Sequence, residues 1–503
     1  MILIASLLLV AEARVGHAAT LLVPGGFATI QSALNTAAPG DTIEVATGVY
    51  NERIAFPSSG TAGNPIVLTA GPGQSPVIDG TGLSVSGLTG LVEMIDRSYV
   101  QIVGFEIRNY AASSGNDFPA GIWLRGQSES VEIRANEVHA IENNGCGDCG
   151  AHGIGVYGTT ASGSINNVLI EGNTVRDCVL GWSEALVLNG NVENFIVSNN
   201  TVHDNNNIGI DMIGFEGECV GCPDDLDQAR DGVVADNLVY NIDSFGNPAY
   251  GTDRSADGIY VDGGTRIVIE RNIVHHANIG IEIASEHAGK ATSEITVRNN
   301  FVYASNTTGF AMGGYDTNRG STEDCVVAHN TFYENDTDST GSGEMLIQFD
   351  TLNNIVSNNI FHATSENVFI TNAFTQNSGD VIDYNIYYGA PGAATSAWIW
   401  QDNYMEGFAS WQAASMQDAN SQFIDPQLVD PASGDLHLSA TSPAFDAGTA
   451  LSSLSTGALD IDGENRLQGA ALDVGADEIT VPEPAGLMIG LGALALLAGR
   501  RRS

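Results

Sequence analysis

Between residues 131 and 387 the chain repeats one pattern of apolar and polar positions. Apolar residues alternate with polar ones, an asparagine follows, one residue is skipped, and another apolar residue appears, as in VEIRANEV, VLIEGNTV, FIVSNNTV, IVIERNIV and ITVRNNFV. A period of two places side chains such as Val168, Ile170 and Val175 on one face of short strands, and no helical period competes. A second strand follows each of these and usually opens on glycine: GIWLRG from Gly121, GIGVYG from Gly153, ALVLNG from Ala185, GIDMIG from Gly209, GIYVDG from Gly258, GIEIAS from Gly280 and GFAMGG from Gly309. Their starts lie 32, 32, 24, 49, 22 and 29 residues apart. That spacing predicts coils of about two dozen residues with insertions, stacked as a parallel β-helix in which each coil touches only its neighbours.

The asparagines of the pattern are Asn136, Asn173, Asn200, Asn237, Asn272, Asn300, Asn330, Asn359 and Asn385. Stacked coils bring equivalent residues to ~4.8 Å, so these side chains are expected to form an internal amide ladder, a structural role rather than a catalytic one. Cys325 occupies the inward position five before its asparagine and should be a buried thiol. Cys146 and Cys149 fall in a turn one coil before that of Cys178, and Cys219 and Cys222 fall in a later loop. Local disulfides in an exported protein account for these pairs better than a four-cysteine zinc site, because 69 residues separate the two CxxC pairs.

Ahead of the repeats, FATIQSALNTAAPGDTIEVATGVYNERI followed by GTAGNPIVLTAGPGQSPVIDG resembles the start of pectate-lyase-like β-helix proteins. The resemblance spans roughly residues 23 to 390. It implies an all-β, right-handed, single-stranded parallel β-helix (a solenoid) with an N-terminal cap helix from about Ala28 to Ala37. SPAFDAG and DIDGENRLQGAALDVGADE resemble tails that follow extracellular β-helices, so a C-terminal capping segment is expected over residues 391 to 479. Such caps protect the open sheet edges at the ends of the stack. The expected organisation is residues 1–19 as signal peptide, 20–80 as N-terminal cap and first coil, 81–390 as repeats, 391–480 as C-terminal cap and 481–503 as a sorting tail.

The two termini set the expected location. The apolar run from Ile2 to Val10 before Ala18 and Ala19 has the form of a secretory signal. Val481-Pro482-Glu483-Pro484, the apolar stretch Ala485 to Ala498 and Arg500-Arg501-Arg502 resemble a PEP-CTERM sorting signal. That resemblance implies processing by an exosortase and delivery to the surface, outer envelope or extracellular matrix of a Gram-negative cell. Membrane contact is then expected only through the tail before cleavage, and the protein is expected to be a monomer. With 60 acidic and 18 basic residues the formal charge is −42, which disfavours nucleic acid and anionic lipid as partners.

Outward positions of the second strands carry the candidate chemistry. Trp123, Arg125, Tyr157, Tyr260 and Glu286 are candidate substrate-binding residues, and Asp211, Asp257, Asp262 and Glu282 form an acidic group suited to Ca2+ through hard oxygen ligands. Glu184 and Glu216 lie nearby, with insertions at 215 to 231 and 241 to 256 long enough to wall a groove. Lys290 is the only lysine in the chain. Its place beside acids is similar to that of the base in calcium-dependent pectate lyases, so Lys290, Asp262 and Glu282 are the expected catalytic residues of a polysaccharide lyase acting on a uronate-containing extracellular glycan. Epimerisation begins with the same proton abstraction. Glycoside hydrolysis is the alternative: one coil of ~4.8 Å and two residues of ~6.6 Å place Asp262 about 8 Å from both Asp211 and Glu282, within the ~6.5–9.5 Å typical of inverting enzymes. A non-catalytic surface scaffold is the third reading.

Overall fold

A computed structural model describes residues 18–480 apart from Cys146 and Asp148. The secretory and sorting segments therefore lie outside the described residues, except for Ala18 and Ala19. The chain winds as a parallel β-helix whose coils each contribute a strand to three long sheets, of 17, 13 and 13 strands. One coil runs through Arg230–Ala235 in the first sheet, Leu238–Ile242 in the third and Asp257–Asp262 in the second. The sequence pattern showed two of these strands. The third follows the asparagine directly and is only three residues long in coils such as Thr174–Arg176, too short to display a period of its own.

Strict alternation fixes the register, because a slip of one residue would turn every apolar side chain outward. Ile154, Leu186, Ile210, Ile259, Ile281 and Phe310 stack in consecutive coils of the second sheet. Val168, Ile170, Ile210, Met212, Ile259, Val261, Ile281 and Ile283 are all buried in one continuous core.

The asparagine ladder forms over all nine positions. Each side chain from Asn136 to Asn359 donates through Nδ2 to Oδ1 of the next, at 2.8–3.2 Å. The same Oδ1 atoms accept the backbone N–H of the preceding asparagine. The residue before each asparagine is left-handed, from Ala135 at φ 52° to Tyr384 at φ 62°, and the turn this creates leaves backbone groups that the ladder satisfies.

The cap helix α1 is Ile30–Leu34, shorter than the expected 28–37. Thr29 is extended and caps it reciprocally with Ser32, and the chain turns out after Asn35. Ile30, Ala33 and Leu34 cover the first coil. At the other end the antiparallel hairpin Ala397–Trp400/Asn403–Glu406 and helix α2, Phe408–Ser415, close the stack, with Trp411 stacked 4.9 Å from Trp398.

Only this first part of the expected C-terminal cap seals the end. The chain after residue 427 instead runs back along the flank of the solenoid. Leu436 and Ala476 pack on Phe301, and Leu438 and Val474 on Ile360 and Ile386. Asn299 donates to the carbonyls of Thr456 and Leu459, and Asn358 to that of Thr449.

Cys325 is a buried free thiol that accepts a hydrogen bond from the backbone N–H of Ile295. Cys178 is also free and buried, in a turn stacked on the one that ends at Cys149 and Gly150. Cys219 and Cys222 are joined to each other, and Cys149 is disulfide-bonded. The four-cysteine zinc arrangement is thereby excluded; Cys146 lies outside the described residues.

Candidate functional site

Three consecutive strands of the second sheet, Ile210–Ile213, Asp257–Asp262 and Ile279–Ala284, present their outer faces to one cleft. Register puts Asp211, Tyr260 and Glu282 in a single column, one per coil, with Asp262 two residues beyond Tyr260. The insertions that follow Ile213 and precede Asp257 rise as walls and bring in Glu216, Tyr250 and Ser255. The cleft has a volume of about 550 Å3. Seven carboxylates line it: Glu184, Asp211, Glu216, Asp257, Asp262, Glu282 and Glu286. Among the described residues no lysine or arginine lines it.

So many acids under partial exclusion from water cannot all stay charged cheaply. Burial first, and mutual repulsion second, push Glu184, Asp211, Asp257 and Asp262 well above the usual carboxylate range. Glu282 is raised to about 7 by the same burial, although Gln348 donates to its Oε1 at 2.7 Å. Burial also raises Glu286, whose backbone N–H donates to Asp262 Oδ1 at 2.7 Å. Asn189 donates to Glu216 at 2.6 Å. Asp211 Oδ1 and Asp257 Oδ1 are buried and have no hydrogen-bond partner among the described residues. Two unpartnered carboxylate oxygens in one cleft are what a bound cation would satisfy, and oxygen-only ligands match a hard divalent ion.

Aromatic rings flank the acids. Trp182, 50% exposed, packs at 4.7 Å on Tyr250 on one side, and Tyr315, 45% exposed, stands on the other. Rings exposed in this way can stack on sugar faces, with carboxylates accepting from hydroxyls. The guanidinium of Arg319 lies 4.2 Å over the Tyr315 ring and donates to the Glu286 carbonyl at 3.2 Å. Trp182, Tyr250, Tyr315 and Gln348 come from turns and from a more distant coil, outside the repeating strands, and carry no sequence signal beyond residue type.

The structure brings together Asp211, Asp257, Asp262, Glu282, Glu286 and Tyr260 of the sequence candidates, and separates the others. Lys290 is not in the cleft: a turn from His287 to Lys290 directs its side chain onto Asp224, with Nζ 5.6 Å from the Phe215 ring centre. The lone lysine therefore makes a surface ion pair and does not line the cleft. Trp123 is only 1% exposed, stacked on His152 and packed against Tyr157, so its faces are not free for a sugar. Tyr157 is likewise buried, with its hydroxyl on His152 Nε2 at 3.0 Å. Arg125 is exposed on the outer face but does not line the cleft. His152 approaches Glu184 at 3.5 Å, yet burial lowers it to about 4, so the contact is not an ion pair at neutral pH.

Residues 16–178 match the family model described as "Pel9A-like, right handed beta helix region", and residues 249–407 match "Right handed beta helix region". Among solved structures the chain is similar to pectate lyase Pel9A, with 13% identity, 92% of this chain and 97% of that chain covered, and a TM-score of 0.42. The structure of XylC with xylose covers 90% of this chain and 95% of its own at 11% identity and a TM-score of 0.44. The sequence is 40% identical over 419 residues to the uncharacterized protein YwoF of Bacillus subtilis strain 168, covering 83% of this chain and 88% of YwoF. The chain thus belongs to the YwoF family, built on a right-handed parallel β-helix.

Proposed function

We propose that the cleft is the active site of an exported polysaccharide-degrading enzyme, and that it carries out calcium-assisted elimination on a uronate-containing glycan. The observation that carries this reading is the carboxylate cluster with two buried, unpartnered oxygens, on Asp211 and Asp257. Asp211, Asp257, Asp262 and Glu282 would hold the ion. Bound there, calcium would neutralise the sugar carboxylate and so acidify the adjacent C5 proton. A bare uronate would otherwise be repelled by the charged members of the acid cluster.

Trp182 and Tyr315 align the sugar rings across the cleft. With Lys290 outside, Glu286 takes the C5 proton: it is less buried than Glu282, and burial raises its affinity for protons, as a general base requires. The electron pair of the C5–H bond forms the C4–C5 double bond as the C4–O bond breaks, and the departing oxygen receives a proton from water. Arg319 steadies the Glu286 main chain from the rim. The signal-like and sorting-like termini support a location outside the cell, at the surface or in the matrix.

A second reading has its own support. Asp262 stands one coil and two residues from both Asp211 and Glu282, consistent with an inverting carboxylate pair acting on a neutral glycan. The test incubates the full chain with uronate and neutral glycans, with calcium or with a chelator, and follows both ultraviolet absorbance of unsaturated ends and new reducing ends. Unsaturated product from uronates that disappears with chelator, with Asp211→Asn and with Glu286→Gln supports elimination. Reducing ends without unsaturation, from neutral glycans and without calcium, overturn it in favour of hydrolysis. Cleavage of neither class overturns both and leaves a scaffold.

A further inference from the structure

The flank segment contains a second ligand cluster, remote in sequence from the cleft and different in chemistry. His437 on the strand Asp435–Leu438, Asp462 on the loop after it and Asp477 near the end of the segment each offer a ligand atom, all within 4.8 Å of one another. Asp435 Oδ1 holds the imidazole at Nδ1 from 2.6 Å, which turns Nε2 toward the two aspartates. His437 Nε2 lies 3.1 Å from Asp462 Oδ2, inside ion-pair distance, but it is not aligned for a hydrogen bond and has almost no accessible surface. Asp477 is only 7% exposed. One of its oxygens accepts the Leu438 N–H at 2.7 Å, and it has no other hydrogen bond among the described residues. A buried carboxylate with a spare oxygen, a misaligned imidazole nitrogen and a carboxylate behind that imidazole are the parts of a histidine–carboxylate metal site.

We propose that His437, Asp462 and Asp477 bind one zinc ion, with Asp435 as the positioning residue. An ion ~2.0–2.2 Å from each ligand in tetrahedral geometry separates its ligands by roughly 3.3–3.6 Å, which the 3.1 Å contact and the 4.8 Å limit bracket. Three protein ligands leave a fourth position for water. The nitrogen donor separates this site from the all-oxygen cleft, which suits calcium. The three ligands come from three stretches of the flank segment, so the ion would tie together a piece of chain that is otherwise held to the solenoid by apolar contacts with Phe301, Ile360 and Ile386 and by hydrogen bonds with Asn299, His329 and Asn358.

The experiment uses the full chain, stripped with a chelator and titrated with zinc sulfate by calorimetry in saturating calcium. It is repeated in an Asp211→Asn/Asp257→Asn background, so that metal binding in the cleft does not contribute. One equivalent of zinc is expected, retained in that background. Asp462→Asn, at an exposed position that leaves folding undisturbed, should weaken binding more than about tenfold. Asp435→Asn should weaken it about tenfold while keeping one equivalent. Cobalt(II) in place of zinc should give the visible absorption of a tetrahedral nitrogen–oxygen site, absent in Asp462→Asn. Zinc should also slow proteolysis between residues 425 and 480. No zinc uptake, or uptake unchanged by Asp462→Asn, overturns the site and leaves His437 as a protonated partner of its aspartates. Loss of uptake only in the cleft background overturns it too, by moving the metal to the cleft.

Discussion

Asn237→Ala is the sharpest test of what holds the coils together. The Asn237 side chain makes four hydrogen bonds without access to water: Nδ2 donates to Val197 O and to Asn272 Oδ1, both at 2.9 Å, and Oδ1 accepts from Asn200 N and Asn200 Nδ2 at 2.9 and 3.0 Å. Truncation leaves the two donors of Asn200 and the Val197 carbonyl without this partner in a dry interior. Asn272 Oδ1 keeps the backbone N–H of residue 237. With roughly 1–3 kcal/mol for each stranded group and some relaxation, the expected loss is about 3–5 kcal/mol. Asn237→Asp should lose a comparable amount by a different route, since it keeps the acceptor for Asn200 but sets a carboxylate against Val197 O and Asn272 Oδ1. Equilibrium guanidinium unfolding measures both variants, and hydrogen exchange locates the loss in the coils on either side, as nearest-neighbour coupling requires. A loss below about 1 kcal/mol for Asn237→Ala would refute the idea that the ladder is an energetic element.

Lys290→Ala should change stability by less than about 1 kcal/mol, because its ion pair with Asp224 is solvent-exposed, and should leave glycan cleavage unchanged; a calcium-dependent assay checks the second half. Burial raises Glu282 from 4.5 to about 7. The folded, calcium-free protein therefore keeps a proton that the unfolded chain releases, so stability falls as pH rises between those values. Glu282→Gln should flatten that fall, by on the order of 1–3 kcal/mol at the alkaline end, and saturating calcium should reverse the ranking; melting curves against pH measure it. Burial pushes the thiols of Cys178 and Cys325 up to about 12, so thiol reagents should label both only on unfolding, as mass spectrometry will show.

The solenoid was legible because its physics repeats. A period-two core and one asparagine per coil recur often enough that no single residue decides the reading. The carboxylates were legible for the same reason: Asp211, Asp262 and Glu282 sit on repeating strands, where counting positions fixes the face. Trp182, Tyr250 and Tyr315 lie in turns and insertions, where no period carries information about direction. The direction of Lys290 was not legible, because rarity in composition says nothing of where a side chain points and a turn from His287 to Lys290 decides it. Trp123 misled differently: it does lie on the outer face, but His152 and Tyr157 cover it, and outward is not the same as exposed. The flank segment has no repeat, and the packing of Leu436 on Phe301 is a contact that spacing cannot express.

The left-handed residue before each ladder asparagine has a consequence for how freely this sequence can drift. An L-residue there costs roughly 1–2 kcal/mol, but glycine loses a comparable amount through the freedom it brings to the unfolded chain. The two nearly cancel, so selection has little reason to prefer one residue. Alanine, glycine, asparagine, aspartate, arginine and tyrosine fill the position at residues 135, 172, 199, 236, 271 and 384, where the turn faces solvent at least in part. At Asn299, His329 and Asn358 the same turn is buried under the flank segment, and each side chain engages it: Asn299 with Thr456 and Leu459, His329 with Arg466 and the Asp473 carbonyl, Asn358 with Thr449. One recurring turn is thus neutral ground along most of the rod and an address over three adjacent coils, where its side chains specify the place at which the returning chain lies down.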